Sequence, residues 1–166
     1  MYKVGIITAS DKGSIGQRVD TSGPLIKEII TPKGYEVIEY TVVPDEHQIL
    51  VDTMKEMTDD LKVNLILTTG GTGFSPRDHT PEATLEVIDR IVPGIPEAMR
   101  YYSLQITKRA MLSRAVAGIR RNTLIINLPG SPKAVKENLE SIIDSVSHGL
   151  DILLEYDAEC GVEANA

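Results

Sequence analysis

The sequence TTGGTGFSPRDHTPEAT (Thr68–Thr84) separates an apolar, β-rich segment from a segment with helical periodicity. It contains the glycines Gly70, Gly71 and Gly73. Glycines permit positive φ and close backbone approach, so successive N–H groups of this loop can point into one concavity. Thr80 and the proline after it are typical of a helix start, which predicts a helix over Pro81–Arg90. A glycine loop before a helix N-terminus is a phosphate-binding arrangement, and a turn without a ligand is the alternative.

The segments around this loop have the composition of strands. KVGIITA (Lys3–Ala9), VNLILTT (Val63–Thr69) and TLIINL (Thr123–Leu128) are apolar on both faces, which is typical of central strands in a covered parallel sheet. YEVIEYTVV (Tyr35–Val43) alternates enough to be a less buried strand. RAVAGIRR (Arg114–Arg121) leads into TLIINL through a tight turn, which makes that pair antiparallel.

Apolar residues at helical spacing separate these strands. They form three sets: Leu25, Ile26, Ile29 and Ile30; Ile49, Leu50, Thr53, Met54 and Met57; and Leu139, Ile142, Ile143, Val146 and Leu150. The alternation predicts a three-layer α/β sandwich, with helices on both faces of a mostly parallel sheet of about five strands. We expect a single domain over residues 1–154 and a C-terminal tail over 155–166. Ligands of such sheets bind at the C-terminal strand ends.

Composition limits the classes of partner. The chain has 166 residues, 42% of them hydrophobic, which supply one sizeable core. Its net charge of -7 repels nucleic acid and anionic membranes, so we expect neither as a partner, and an anionic ligand needs local donors or a metal. The single cysteine, Cys160, suits a reducing cytoplasm. No apolar run has the length of a membrane span, and we expect the chain to begin at its native N-terminus, without a signal peptide.

A second candidate anion site follows another predicted strand, in LPGSPKAVKENL (Leu128–Leu139). Ser131 can cap a helix that begins at Pro132, while Gly130 allows close backbone approach and Lys133 adds a cation. The competing interpretation is that Ser131 is only a helix cap. Because both glycine-containing turns should leave the same edge of the sheet, their placement favours a shared site.

Two carboxylates lie at strand-to-helix junctions, Asp45 in VVPDEHQ and Asp78 in SPRDHTPEA. On neighbouring strand ends they can together hold a Mg²⁺ that offsets polyphosphate charge. Taken singly, Asp45 is also interpretable as an N-cap that completes a capping-box-like pattern with Gln48. Asp78 is equally interpretable as a turn residue paired with Arg77.

The segment after the first predicted strand, SDKGSIGQRVDTSG (Ser10–Gly23), is rich in polar side chains. Its serines and aspartates are Ser10, Asp11, Ser14, Asp20 and Ser22. This segment is either a loop that covers the ligand, with Ser14 and Ser22 as candidate binding residues, or a solvated loop.

Several other chemistries lack their residues. No Lys-Ser/Thr closes a P-loop pattern, and the third glycine of a dinucleotide fingerprint is missing. His47, His79 and His148 have no metal-ligand spacing, so we do not expect a zinc site. No GxSxG elbow surrounds a serine, which disfavours a covalent nucleophile.

Four segments, DTSG, VVPDE, TTGGTGFSPRDHTPEAT and LSRAVAGIRRNTLIINLPGSPKA, together resemble the MogA/MoaB family of molybdopterin adenylyltransferases, whose relatives include the G domain of gephyrin. The resemblance extends from Lys3 to Leu154. It implies a cytoplasmic enzyme of molybdenum cofactor biosynthesis that uses ATP and Mg²⁺ to transfer AMP to the terminal phosphate of molybdopterin, with release of pyrophosphate. It also implies a homotrimer and hand-over of the product to a molybdate-inserting enzyme.

Matching motif to motif, the resemblance makes Asp45 and Asp78 the catalytic, metal-holding aspartates. It assigns substrate or nucleotide binding to Gly70, Gly71, Thr72, Gly73, Gly130 and Ser131. His79 departs from the apolar residue expected at its position and places a titratable group beside Asp78. Apolar and aromatic residues on more than one face of Gly94–Ile106 fit a subunit interface, with an ordinary buried helix as the alternative.

Two other functions remain open at this point. One is a non-catalytic molybdopterin-binding or scaffolding protein of the same fold, although such a protein would gain little from two carboxylates beside an anionic ligand. The other is an enzyme that acts on a different phosphorylated ligand, such as a nucleotide hydrolase.

Overall fold

The computed structural model describes residues 1–155, so Cys160 and nearly all of the predicted tail lie outside the described residues. The strands are β1 (Tyr2–Ala9), β2 (Tyr35–Val43), β3 (Leu65–Thr69), β4 (Arg90–Ile91), β5 (Ala117–Arg120) and β6 (Thr123–Leu128). The helices are α1 (Asp11–Ser14), α2 (Ser22–Ile30), α3 (His47–Lys55), α4 (Thr80–Val87), α5 (Gly94–Leu104) and α6 (Pro132–Leu153). Within residues 1–155, no helix combines the length and the apolar composition needed to cross a membrane.

The strands form one six-stranded sheet in the order β2-β1-β3-β6-β5-β4. The strands β2, β1, β3 and β6 are parallel, whereas β5 is antiparallel to β6 and β4 is antiparallel to β5. The predicted three-layer α/β sandwich with a mostly parallel sheet is confirmed, as is the antiparallel pair at β5 and β6. The predicted count of about five strands misses β4, because a strand of two residues is too short to show a periodic pattern.

Each central strand contributes side chains to two cores, which explains why its sequence is apolar throughout. In β3, Leu65 and Leu67 face the core beneath α2, α5 and α6, while Ile66 faces the core beneath α3 and α4. The strand β2 lies at the sheet edge, and most of its residues alternate between exposed and partly buried, so it is less buried than the central strands, as predicted. The sheet is therefore covered on both faces, and its C-terminal strand ends remain available for a site.

Helix boundaries differ from the predictions in two places. The helix predicted to reach Arg90 ends at Val87, because Ile88 is extended and Arg90–Ile91 pairs with β5. The residue in the N-cap position is His79, so the prediction of Thr80 as the N-cap is wrong. In α3 the predicted apolar stripe includes Ile49, which is exposed, while its neighbour Val51 is fully buried.

Candidate active site

The C-terminal ends of β1, β2, β3 and β6 surround one cavity of about 510 Å³, called here the main cavity. Seven of the predicted site residues line it: Ser22, Asp45, Gly70, Gly71, Asp78, Gly130 and Ser131. Thr72 and Gly73 instead line a second cavity of about 290 Å³, which Pro129 also lines. Ser14 lines neither cavity, and its hydroxyl donates to the Asp11 carbonyl at 2.9 Å. The structure thus brings both aspartates and both glycine-containing turns together.

The glycine loop requires its first two glycines for conformation and for space. Gly70 and Gly71 have φ values of +91° and +64°, in the left-handed region that disfavours side chains. A Cβ at Gly70 would overlap the carbonyl oxygen of Ala9, and one at Gly71 would overlap Thr80 Oγ1. The same Cβ at Gly71 would lie 3.2 Å from Asp45 Oδ1. The bare loop backbone therefore packs directly against a catalytic candidate.

Asp45 is held by the segment that follows β1. The Asp11 N–H donates to Asp45 Oδ2 at 2.9 Å, and the Asp45 N–H donates to Asp11 Oδ1 at 3.0 Å. Asp45 does not cap α3: the N-cap position is Glu46, and the Gln48 amide donates to Asp52. The capping interpretation is therefore wrong, and the carboxylate turns into the main cavity.

The surroundings of Asp45 disfavour its negative charge. Burial raises the pKa of Asp45 above its ordinary value, and the N–H donated by Asp11 lowers it in part. The negative charges of Asp11 and Asp78 raise the pKa further. A cation bound beside Asp45 and Asp78 would oppose these effects and stabilise the ionised form of Asp45.

Asp78 ends a tight turn of the glycine loop. Its Oδ2 accepts from the Ser75 N–H at 3.0 Å, so the interpretation as a turn residue holds in part. Its predicted pairing with Arg77 is wrong, because Arg77 reaches across to Asp11 at 2.9 Å and Glu46 at 2.7 Å. The Asp78 carboxylate is therefore free of an arginine partner within residues 1–155 and lines the main cavity.

Arg114, a residue that sequence reasoning did not select, fixes the shape of the glycine loop. Its guanidinium donates to the carbonyl oxygens of Gly73 at 2.6 Å and Asp78 at 2.7 Å, and it pairs with Glu82 at the start of α4. Every residue has a backbone carbonyl, so no sequence pattern indicates which carbonyls Arg114 binds, and this role can be recognised only in the folded structure.

The second glycine-containing turn is tied to its neighbours through carbonyl oxygens. Ser22 donates its hydroxyl to the Gly130 carbonyl at 2.9 Å. Ser131 accepts from the Ala134 N–H at 3.3 Å, which confirms its prediction as the cap of α6. Lys133 is 80% exposed and lies outside the main cavity, so it does not supply the cation expected from the sequence.

Asp20 organises residues 18–22, which line the main cavity. It accepts hydrogen bonds from the Thr8 and Tyr40 hydroxyls, both at 2.6 Å, and from the N–H groups of Ser22 and Gly23. Burial alone raises the pKa of Asp20, but these donors outweigh it and hold the pKa below its ordinary value. Burial, with the bond to this carboxylate, raises the pKa of Tyr40 to about 12.

The oxygen atoms that line the main cavity suit a hard cation that is also coordinated by oxygen atoms of a bound phosphate. No group of three or more His, Cys, Asp or Glu within residues 1–155 could hold a metal alone. Asp45 and Asp78 supply carboxylate oxygens, which Mg²⁺ prefers, and Mg²⁺ commonly completes its shell with water and phosphate oxygens. Thr80 Oγ1, which is buried behind Gly71, lacks a hydrogen-bond partner among the described residues. The residues present therefore fit a Mg²⁺-phosphate ligand.

Comparison with known proteins shows the family to which the chain belongs. Residues 5–148 match the family model described as "Probable molybdopterin binding domain". The chain belongs to this family. The resemblance of its motifs to the MogA/MoaB proteins is thereby confirmed.

Three relatives illustrate the match. The chain is 42% identical over 161 residues to the molybdopterin adenylyltransferase of Escherichia coli K12, covering 93% of this chain and 82% of that enzyme. It is 45% identical over 160 residues to gephyrin of Dictyostelium discoideum, covering 90% of this chain and 22% of that longer protein. The structure of the molybdopterin biosynthesis enzyme MoaB from Thermus thermophilus is similar with a TM-score of 0.89 and 47% identity, covering 93% and 98% of the two chains.

Proposed function

We propose that this protein is a molybdopterin adenylyltransferase of molybdenum cofactor biosynthesis. It transfers AMP from ATP to the terminal phosphate of molybdopterin and releases pyrophosphate. The observation that carries the proposal is the convergence of Asp45, Asp78 and two glycine-containing turns on the main cavity, in a chain of the molybdopterin-binding family. Family membership supports the substrate, and the paired carboxylates support an enzyme over a passive binder.

The transfer is an in-line displacement at the α-phosphorus of ATP. An oxygen of the molybdopterin phosphate forms the new P–O bond, the bond to the bridging β-phosphate oxygen breaks, and pyrophosphate leaves with that electron pair. Because the attacking oxygen is already anionic, no side chain has to remove a proton. The protein's part is therefore to align the two phosphates and to stabilise charge as it moves.

Asp45 and Asp78 would hold the Mg²⁺, which would supply positive charge against that of the phosphates. Gly70 and Gly71 would bring bare backbone close to the phosphates in the main cavity. The turn at Gly130–Ser131 would do the same at the N-terminus of α6. Asp11 keeps the Asp45 carboxylate in place, and the carbonyl contacts of Arg114 keep the loop before Asp78 in shape.

The direct test is to incubate the protein with ATP, Mg²⁺ and molybdopterin and to search for adenylylated pterin by mass spectrometry. Its appearance supports the proposal. A folded protein that binds molybdopterin and forms no such product would be the non-catalytic binder, and release of AMP or ADP without any need for molybdopterin would indicate a nucleotide hydrolase.

The proposal includes a homotrimer in the cytoplasm that passes its product to a molybdate-inserting enzyme. In α5 only Pro96 and Met99 are buried, so the interpretation as an ordinary buried helix accounts for one face alone. Tyr101 and Met111 are 72% and 63% exposed, and they lie on α5 and on the 3-10 helix Lys108–Leu112 that follows it. Such an apolar surface suits a subunit interface. Light scattering at micromolar concentration tests it, and a monomer would contradict the trimer.

A further inference from the structure

We propose that Arg18 binds the phosphate groups of the anionic substrates in the main cavity. The inference rests on the proposed function for the identity of those substrates, but binding alone tests it. Arg18 belongs to the segment between α1 and α2, and it was not among the site residues predicted from the sequence.

The charge of the main cavity calls for such a group. Asp20, Asp45 and Asp78 line it, and Arg18 is the single Lys, Arg or His among its lining residues within the described part of the chain. Three carboxylates repel the phosphates of both substrates. A guanidinium at the rim opposes that repulsion, and it can pair with phosphate through two parallel hydrogen bonds.

Arg18 differs from the neighbouring arginines in having its guanidinium free. Arg77 pairs with Asp11 and Glu46, and Arg114 pairs with Glu82 and backbone carbonyls. The side chain of Arg18 makes no hydrogen bond or ion pair within residues 1–155. Binding a phosphate therefore breaks no existing salt bridge of this residue.

The backbone that carries Arg18 is fixed on both sides. The Arg18 N–H donates to the Lys12 carbonyl at 3.2 Å, next to the bond from the Gln17 N–H at 2.8 Å. Two residues further on, Asp20 is held by Thr8, Tyr40 and Ser22. The ordering cost of binding therefore falls mainly on the Arg18 side chain and not on the whole loop.

Lys12 provides a matched control. It is an exposed cation of α1, the short helix just before the Arg18 segment, and it does not line the main cavity. Lys12→Gln and Arg18→Gln each remove one positive charge from the stretch between β1 and α2, so long-range attraction of an anion should weaken similarly in both. A specific effect of Arg18→Gln isolates direct contact.

The experiment measures the affinity of pyrophosphate in the presence of Mg²⁺, by calorimetry, for the wild type and for Arg18→Gln, Arg18→Lys and Lys12→Gln. We expect Arg18→Gln to weaken binding by about tenfold or more, the scale of a charge-assisted hydrogen bond, and Lys12→Gln to leave it within about twofold. Arg18→Lys should fall between the wild type and Arg18→Gln, because lysine keeps the charge without the bidentate geometry.

Equal weakening by Arg18→Gln and Lys12→Gln would overturn the inference, since it would leave only long-range charge. Wild-type affinity in Arg18→Gln, or no pyrophosphate binding by the wild type, would overturn it as well. Adenylyl transfer by the wild type is measured separately, so failure of the proposed reaction and failure of the Arg18 contact give different results.

Discussion

Asp11 and Asp45 bind each other reciprocally, each donating its backbone N–H to the carboxylate of the other. Arg77, from the loop after β3, donates to both carboxylate oxygens of Asp11. One carboxylate thus joins the segments that follow three neighbouring strands. The guanidinium of Arg77 holds the pKa of Asp11 below its ordinary value, which keeps this acceptor ionised where it orients Asp45.

The substitution Asp78→Asn should reduce turnover while leaving the fold intact. Asparagine keeps the volume and can still accept the Ser75 N–H, but it lacks the negative oxygen that a metal needs. We expect the adenylylation rate to fall by about 10²-fold or more, equivalent to about 2.7 kcal/mol of transition-state stabilisation, with molybdopterin affinity little changed. Steady-state rates and thermal melts measure both; wild-type turnover would remove Asp78 from the mechanism.

The substitution Asp45→Asn should also reduce turnover, but without loss of stability. The pKa of Asp45 is raised in the folded protein. At pH values above that raised pKa, the negative charge of Asp45 therefore lowers the free energy of unfolding. Removing the charge should leave the melting temperature equal or higher at neutral pH, with any gain vanishing below the ordinary aspartate pKa of about 3.9. Melting curves across pH test this; a lower melting temperature at neutral pH would contradict the assigned shift.

The substitution Asp20→Asn should have the opposite effect on stability. The pKa of Asp20 is lowered in the folded protein, so its ionised form contributes stability at pH values above the ordinary pKa of about 3.9. That contribution is lost as pH falls through the lower folded value. We expect Asp20→Asn to melt below the wild type at neutral pH and to approach it in acid. Parallel pH dependence of Asp20→Asn and Asp45→Asn would refute the contrast between these two carboxylates.

The substitution Gly71→Ala separates close packing from backbone conformation, with Gly16→Ala as its control. Both glycines have positive φ, +64° and +73°, but an added Cβ at Gly16 meets nothing within 4 Å. Gly16→Ala should therefore lower the free energy of unfolding only by the strain of an alanine in the left-handed conformation, about 1–2 kcal/mol. Gly71→Ala adds the overlap with Thr80 Oγ1 and should cost more, with weaker binding of Mg²⁺-pyrophosphate. Urea unfolding measures the difference, and equal losses would mean that the loop yields without strain.

Much of this architecture could be predicted because it depends on local patterns. The strand Thr123–Leu128 has its predicted bounds, and the Ser131 cap and the junction positions of Asp45 and Asp78 follow from short motifs. Strand ends of a parallel sheet must meet at one edge, so the topology alone brings the two aspartates together.

The remainder depends on contacts between residues distant in sequence. Ser14 and Ser22 look equivalent in one polar segment, yet Ser22 bonds to Gly130 while Ser14 bonds within its own helical turn. Arg77 precedes Asp78 directly but pairs with Asp11, which lies 66 positions away. No local pattern distinguishes these cases, because the deciding partner lies on another strand end.

Transfer of AMP to molybdopterin in the main cavity yields two products, and their ratio can be measured. Purified protein is incubated with ATP, Mg²⁺ and molybdopterin, and both adenylyl-molybdopterin and pyrophosphate are quantified, with the Asp45→Asn and Asp78→Asn variants and a metal-chelated sample as controls. We expect equal amounts of the two products from the wild type, and little of either from the controls. Pyrophosphate or AMP without adenylyl-molybdopterin, or bound molybdopterin that stays unmodified in a folded wild-type protein, would contradict it.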